Sequence, residues 1–151
     1  MCPLICFEDI FPGLVRCSLA DDTDLLVNLT NNGWFGESAA QWQHAVTAIF
    51  RAVENGVPLL RCANNGLTCL VDRQGRIAEA ITDERDTIYG PGFMVANIRL
   101  LAPDDTPRTF YRQHGEWFAG GCVALAVAGA AQNLRRRKAG GGEEGRKIAG
   151  K

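Results

Sequence analysis

The chain has 151 residues, of which 46% are hydrophobic and 22% charged, a balance that fits a folded domain and excludes a disordered chain. Its formal net charge of −1 is unevenly distributed, because residues 1–134 are acidic and contain no lysine while 135–151 are basic. An acidic body disfavours nucleic-acid binding, and six cysteines without a CxxC pair, beside two histidines, disfavour a zinc site. No metal, cofactor or nucleic-acid partner is expected.

The first third of the chain predicts alternating strands and helices. A short apolar run at 3–6 predicts a buried strand, and Pro12 suits the first turn of a helix over 11–20. The run at 24–29 is nearly all apolar, which predicts a strand buried on both faces. Residues 30–36 follow as a loop, since Asn and Gly tolerate left-handed backbone.

The clearest helix is predicted over 41–56, where Asn55-Gly56 and then Pro58 provide an end signal. Large apolar side chains recur on one face of this helix at three- and four-residue spacing: Trp42, Val46, Ile49, Phe50 and Val53.

Further strands are predicted at 58–63, at 67–72 and 76–81 as a hairpin, and at 93–100. Alternating elements followed by a hairpin indicate an α/β fold with a mixed sheet.

The composition changes after residue 107. Residues 109–116 are amphipathic and aromatic, and 117–131 carry no charge before a basic cluster begins at Arg135. A helix over 117–134 would be about 27 Å long, which is marginal for a bilayer. The flanking aromatic and basic residues favour a transmembrane helix, with a buried helix of a soluble domain as the alternative. The predicted divisions are a domain at 1–108, a juxtamembrane segment at 109–116, a transmembrane helix at 117–134 and a basic disordered tail at 135–151.

Cys6 is the candidate for chemistry. It ends the first predicted strand just before a helix, and ligand sites of α/β folds lie at such strand ends. Backbone N–H groups there can face an oxyanion, and Glu8 follows two residues later. A lone cysteine in an apolar run is nevertheless more often a small core residue. The residues alone leave both interpretations open, and the six cysteines are expected to be mainly buried thiols rather than disulfides.

Three segments carry a resemblance to a known family: ICFEDIFPGLVR at 5–16, the stretch 24–77 with its NNGWFG loop and WQH helix start, and TFYRQHGEWF at 109–118. In this order and spacing they resemble the carboxyl-terminal half of the apolipoprotein N-acyltransferases, bacterial membrane enzymes of the nitrilase superfamily. The resemblance covers residues 3–134. It implies an α/β fold, part of a nitrilase-like four-layer α-β-β-α sandwich, followed by one C-terminal transmembrane helix.

The resemblance also implies a reaction. Cys6 of the Cys-aromatic-Glu motif would accept an acyl chain from a phospholipid as a thioester and pass it to the N-terminal diacylglyceryl-cysteine of a lipoprotein. Phe7 would donate its backbone N–H to the oxyanion, and Glu8 would lie close to the nucleophile.

Substrate-binding positions are expected at Asn32, Trp34, Phe35 and Asn65. The two aromatic residues fit either a lipid-contacting lid or a loop folded onto the core, and turn chemistry alone would explain Asn65. His44, by contrast, is expected to hydrogen bond at the start of its helix rather than to titrate in catalysis. On the same helix, Arg51 and Glu54 are expected to be structural, paired with each other or with the sheet.

In the nitrilase superfamily a glutamate base and an oxyanion-binding lysine precede the cysteine, and the five residues before Cys6 include neither. We therefore expect a fragment of a larger enzyme that is inactive and poorly folded by itself. The complete enzyme is expected to be a monomer in the bacterial inner membrane, with a periplasmic catalytic domain and a cytoplasmic tail. The alternatives are a soluble nitrilase-like carbon-nitrogen amidohydrolase and a non-catalytic remnant in which Cys6 is only a core residue.

Overall fold

The computed structural model describes residues 1–98 and 108–148, with side chains as far as Arg135. Its strands are β1 Cys2–Ile5, β2 Leu26–Thr30, β3 Leu59–Ala63, β4 Cys69–Val71 and β5 Ile77–Ala80. Its helices are α1 Pro12–Ser18, α2 Ala39–Asn55, α3 Phe110–His114 and α4 Trp117–Ile148. Short 3-10 turns occupy Cys6–Ile10 and Gly33–Phe35. The chain divides into two units, Met1–Gly115 and Glu116–Lys151.

The five strands form one mixed sheet in the order β1-β2-β3-β4-β5. β1, β2 and β3 run parallel, and β4 and β5 are antiparallel additions at the edge. The α/β fold with a mixed sheet is therefore confirmed, as are the helix that begins at Pro12 and the end of α2 at Gly56, whose φ is +66°. A positive φ at this position suits glycine, which has no Cβ to clash.

Among the described residues of Met1–Gly115, helices cover one face of the sheet only. Leu4, Leu26 and Leu59 are buried on that face, against Val15 of α1 and Ala48 of α2. The opposite face presents apolar side chains to solvent, with Ile5 57% and Leu29 49% exposed. The expectation that β2 is buried on both faces is therefore wrong for this unit, because side chains alternate across a strand and only one face meets a helical layer. One sheet and one helical layer are two of the four layers expected.

The face of α2 that carries the large apolar side chains is not the face that is buried. Ala45, Ala48 and Ala52 face the sheet together with four polar residues, which are Gln41, His44, Arg51 and Asn55. Trp42, Val46, Phe50 and Val53 are exposed. Small side chains let the helix approach the sheet closely. Of the polar residues, His44 and Gln41 reach partners outside the helix, at Asp9 and Asn32.

The segments after β5 differ from the expected strand. Residues 93–98 form no strand, and Phe93 and Val95 are exposed, since no neighbouring strand pairs with them among the residues described. The rest of the expected strand, 99–100, lies outside the described residues.

Within α4, residues Trp117–Arg135 are long and apolar enough to cross a membrane, with a mean hydropathy of 1.3 and no buried residue in that stretch. The helix continues to Ile148, whereas the sequence predicts a disordered tail from residue 135. The Arg and Lys residues that begin this part of the chain are good helix formers, which fits the continuation.

Candidate functional site

The carboxyl ends of β1, β2 and β3 meet at one edge of the sheet. Because the strands are parallel, Ile5 pairs with Leu29, and Thr30 pairs with Ala63. The residues that follow these pairs, including Cys6 and Asn32, therefore gather at the same edge. Parallel sheets commonly place their ligand sites here.

Cys6 lies on a sharp strand-to-helix turn with a φ of +52°. A residue with a Cβ adopts this left-handed backbone at a cost of about 1–3 kcal/mol, and such strain concentrates at functional sites. The turn is held by Asn28, whose Nδ2 donates to the Cys6 carbonyl at 3.1 Å. The half-buried Sγ lies 3.5 Å from the Thr30 hydroxyl. This geometry presents the Cys6 side chain at the carboxyl end of β1.

A buried charged cluster lies next to this turn. Asp9 Oδ1 is 2.9 Å from His44 Nε2, and Asp9 Oδ2 accepts from Arg61 Nη1 at 2.9 Å. The side chains of all three residues are at least 97% buried. Hydrogen bonds between charged partners are short and strong, so this cluster fixes the 3-10 turn against β3 and α2.

Arg61 also interacts electrostatically with two cysteines, Cys69 in β4 and Cys6 on the turn after β1. Burial lowers the pKa of its guanidinium, while the nearby Asp9, Cys69 and Cys6 act in the opposite direction. A second hydrogen bond, from Nη1 to Asn28 Oδ1 at 2.8 Å, ties the guanidinium to the residue that holds the Cys6 carbonyl. Arg61 is therefore a fixed positive charge close enough to Cys6 to interact with its thiolate form.

Asn32 is held in place by its backbone. Its carbonyl accepts from Gln41 Nε2 at 3.0 Å, and its N–H donates to Asn64 Oδ1 at 2.9 Å. Its side-chain Oδ1 lies 2.9 Å from His44 Nδ1 and accepts from the Thr30 hydroxyl at 3.1 Å. A continuous chain of polar groups thus connects Asp9 to the sulfur of Cys6 through His44, Asn32 and Thr30.

The aromatic residues of the site form a stack above His44. The Phe7 ring lies 4.7 Å from the His44 ring in a stacked arrangement and 6.0 Å from the Phe35 ring in an edge-to-face arrangement. Trp34 points away into solvent and is 74% exposed. Phe35 is thus packed beside the Cys6 turn, whereas the Trp34 side chain is exposed to solvent.

Glu8 and Asn65 occupy different surroundings. The Glu8 carboxylate accepts from the backbone N–H of Ile5 at 2.7 Å, so it closes the turn that carries Cys6. Asn65 lines a separate cleft of about 220 Å³ together with Tyr89 and Ile81. Its neighbour Asn64, which contacts Asn31 and Asn32, is the residue of this turn that joins the site.

The other cysteines are of two kinds. Cys2 and Cys69 are buried, and burial raises the pKa of both thiols, that of Cys69 to about 11. Cys17, Cys62 and Cys122 are exposed, and all six thiols are free. The expectation of mainly buried thiols is therefore wrong for three of them, which lie on outward-facing sides of α1, β3 and α4. Within the described residues, no group of His, Cys, Asp and Glu side chains is placed to hold a metal ion.

Sequence reasoning missed Asp9, Asn28, Thr30 and Arg61. The available signal was polar residues at inward-facing positions of apolar strands, since Asn28 interrupts DLLVNL and Arg61 interrupts PLLRCA. Buried polar side chains require partners, so such interruptions indicate a polar network at the sheet.

Comparisons with known proteins agree with this arrangement. A family model described as carbon-nitrogen hydrolase matches residues 1–91. The apolipoprotein N-acyltransferase of Geobacter metallireducens is 41% identical over 134 residues, which cover 89% of this chain and 24% of that protein. The apolipoprotein N-acyltransferase of Rickettsia prowazekii is 46% identical over 116 residues, or 76% and 21% of the two chains.

A solved structure has the same fold. It is a mutant of the amidase from Nesterenkonia sp. AN1 showing the addition of acrylamide at its active-site cysteine. The match has a TM-score of 0.50 and 21% sequence identity, and it covers 80% of this chain and 44% of the amidase. The chain spans about a quarter of the length of the curated relatives, so these matches describe one part of such proteins.

Proposed function

Since the chain belongs to the carbon-nitrogen hydrolase family, we propose that it forms part of an apolipoprotein N-acyltransferase in which Cys6 is the nucleophile. The observation that carries the proposal is the strained turn at Cys6, whose sulfur lies 3.5 Å from the Thr30 hydroxyl and interacts with the charge of the buried Arg61. A core cysteine needs neither a positive φ nor a polar surrounding.

The proposed reaction has two steps. The Cys6 thiolate attacks the ester carbonyl of a phospholipid acyl chain, a carbon–sulfur bond forms, and the lysophospholipid leaves as an alcohol after taking up a proton. The α-amino group of a diacylglyceryl-cysteine, once it has lost a proton to a base, then attacks the thioester. The amide bond forms as the carbon–sulfur bond breaks, the nitrogen gives up its second proton to solvent, and the thiolate is restored.

Residues around Cys6 have roles in these steps. The N–H of Phe7 follows the nucleophile directly and is the proposed oxyanion donor. Glu8 supports the turn through its hydrogen bond to Ile5, and this contact supports a place for Glu8 beside the nucleophile. Asn32, Trp34, Phe35 and Asn65 are the proposed substrate contacts, and the exposure of Trp34 is compatible with an acyl chain as its partner.

The proposed location is the bacterial inner membrane. Residues Trp117–Arg135 would span it, and the basic cluster that begins at Arg135 would stay on the cytoplasmic side, which leaves Met1–Gly115 on the periplasmic side. The proposed partners are the membrane, a phospholipid donor and a diacylglyceryl-lipoprotein acceptor, with a monomeric enzyme.

The two curated relatives described above carry the acyltransferase name, which supports this reaction over amide hydrolysis. The test is to incubate the full-length enzyme with a phospholipid that carries a labelled acyl chain and with a diacylglyceryl lipopeptide. Label should appear in the amide of the lipopeptide. Release of ammonia from small amides without any labelled lipopeptide would favour the amidohydrolase instead.

A further inference from the structure

The hydroxyl of Thr30 has one proton and two acceptors. Its Oγ1 lies 3.1 Å from Asn32 Oδ1 and 3.5 Å from Cys6 Sγ, and Thr30 is buried from water. One proton cannot serve both acceptors at once. Its direction therefore decides whether the Cys6 sulfur receives a hydrogen bond from Thr30.

Asn32 controls that direction. When its Oδ1 faces Thr30, the hydroxyl donates to the amide oxygen. Rotating the amide by half a turn replaces Oδ1 with Nδ2, which donates to Thr30 Oγ1 and leaves the hydroxyl proton for the sulfur. Asn32 is fully buried, and its Nδ2 has no partner among the described residues when Oδ1 faces Thr30, so no side-chain hydrogen bond of Nδ2 holds that orientation.

His44 in turn selects the orientation of the amide. Its Nε2 faces Asp9, which accepts from Arg61 as a carboxylate does, so Nε2 carries a proton throughout. Its Nδ1 faces the Asn32 amide at 2.9 Å. A protonated Nδ1 needs the amide oxygen as an acceptor, whereas an unprotonated Nδ1 needs the amide nitrogen as a donor.

We propose that His44, Asn32 and Thr30 form a hydrogen-bond relay that couples the protonation of His44 to a hydrogen bond on the Cys6 sulfur. Loss of the Nδ1 proton turns the Asn32 amide, and the Thr30 hydroxyl then donates to the thiolate. His44, Asn32 and Thr30 are positioning residues in this account. The relay rests on the proposed function in one respect, which is that the Cys6 thiolate is the nucleophile.

An imidazolium charge at His44 would also stabilise a thiolate, so the two effects oppose each other. Asp9 at 2.9 Å compensates that charge, and Arg61 remains positive in both states. The other charged or titratable groups are Cys6 at the end of the relay and Glu8 on the same turn. On α2 itself, Arg51 and Glu54 lie about two and about three turns away and pair with each other. A direct hydrogen bond to an ionised sulfur is therefore the larger effect.

The test measures the alkylation rate of Cys6 by iodoacetamide between pH 5 and 9 in the full-length protein, by mass spectrometry of the peptide that contains Cys6. The exposed Cys17 is the internal reference thiol. The wild-type rate should show two steps, one from thiol ionisation and a second, the histidine step, from loss of the His44 Nδ1 proton, with faster alkylation above the histidine step. Cys17 should show only the first.

Thr30→Val removes the hydroxyl at nearly constant shape, and it should abolish the histidine step and slow alkylation about tenfold at pH 7. Thr30→Ser retains the hydroxyl and should keep the step, and His44→Gln should lose it. A Thr30→Val profile that matches the wild type would overturn the relay, and so would a wild-type profile with a single step.

Alkylation needs no acyl donor, so the two proposals fail separately. A two-step profile in a protein that transfers no acyl chain would refute the proposed function and keep the relay. Acyl transfer through Cys6 with a single-step profile would refute the relay alone.

Discussion

Two thiols of the same sheet lie in opposite environments, Cys6 at the end of β1 and Cys69 inside β4. Cys69 is fully buried, and burial raises its pKa to about 11 although the positive charge of Arg61 acts against this shift. Cys6 is half-buried on a strained turn and touches the Thr30 hydroxyl. Both sulfur atoms interact with Arg61, so the nearby cation does not distinguish the two thiols. Access and a hydrogen-bond donor at the carboxyl edge distinguish Cys6.

The largest difference between the two thiols is expected in the rate of acyl transfer. Cys6→Ser should lower the rate of transfer to a lipopeptide by about a thousandfold or more, because no thioester can form. Cys69→Ser, the matched change in the interior, should leave the rate within about twofold, since a residue outside the site contributes only to stability. Similar losses in both variants would remove the distinction between the two thiols.

The next effect concerns the cluster that supports the Cys6 turn. Asp9→Asn keeps the shape but leaves the buried Arg61 without its charged partner, which should destabilise the domain by about 3 kcal/mol. Hydrogen–deuterium exchange of the β1 and β3 amides in the full-length protein measures the loss.

Glu54→Gln is the control for that variant, because it breaks the more exposed pair with Arg51 on α2. It should cost about 1 kcal/mol or less. Equal costs for the two substitutions would mean that the Asp9 cluster is no more important to the fold than the partly buried Arg51–Glu54 pair.

A smaller effect follows from the raised pKa of Cys69. The folded state holds the thiol proton more tightly than the unfolded chain, whose thiol has its ordinary pKa of 9.0. The contribution to stability is therefore complete below pH 9 and is lost as the pH rises toward about 11. A shift of this size corresponds to about 3 kcal/mol as an upper bound, and urea unfolding of the wild type should show a fall over this range.

Cys69→Ala lacks the titrating group and should show a smaller fall between pH 9 and 11, whereas Cys17→Ala should match the wild type because Cys17 is exposed. Parallel pH profiles for wild type and Cys69→Ala would contradict the assignment of this shift to burial.

Local signals in the sequence predicted much of the fold. Pro12 and Gly56 mark helix bounds through backbone geometry that each residue specifies by itself. The exposed face of the sheet and the missing strand at 93–98 were not predictable, because burial depends on what packs against an element. The α2 helix illustrates the same limit, since its periodicity is correct but the small and polar face, with Ala48 and His44, is the buried one.

The sequence is enough to name a candidate nucleophile, but not the residues that surround it. Cys6 could be selected from its place after a strand and from the family resemblance. Asp9, Arg61 and His44 come from separate elements, with Asp9 and Arg61 52 positions apart in sequence, and only the register of β1, β2 and β3 brings them together. Pairings of that kind are set by tertiary structure and leave only polar interruptions in apolar runs as a trace.

The most direct measurement is to trap the acyl adduct. The full-length enzyme would be mixed with phospholipid in the absence of an acceptor, quenched in acid and digested, and its peptides weighed by mass spectrometry. The account predicts one acyl group, labile to hydroxylamine, on the peptide that contains Cys6. An adduct on any other residue, or continued transfer by the Cys6→Ser enzyme without an adduct, would contradict it.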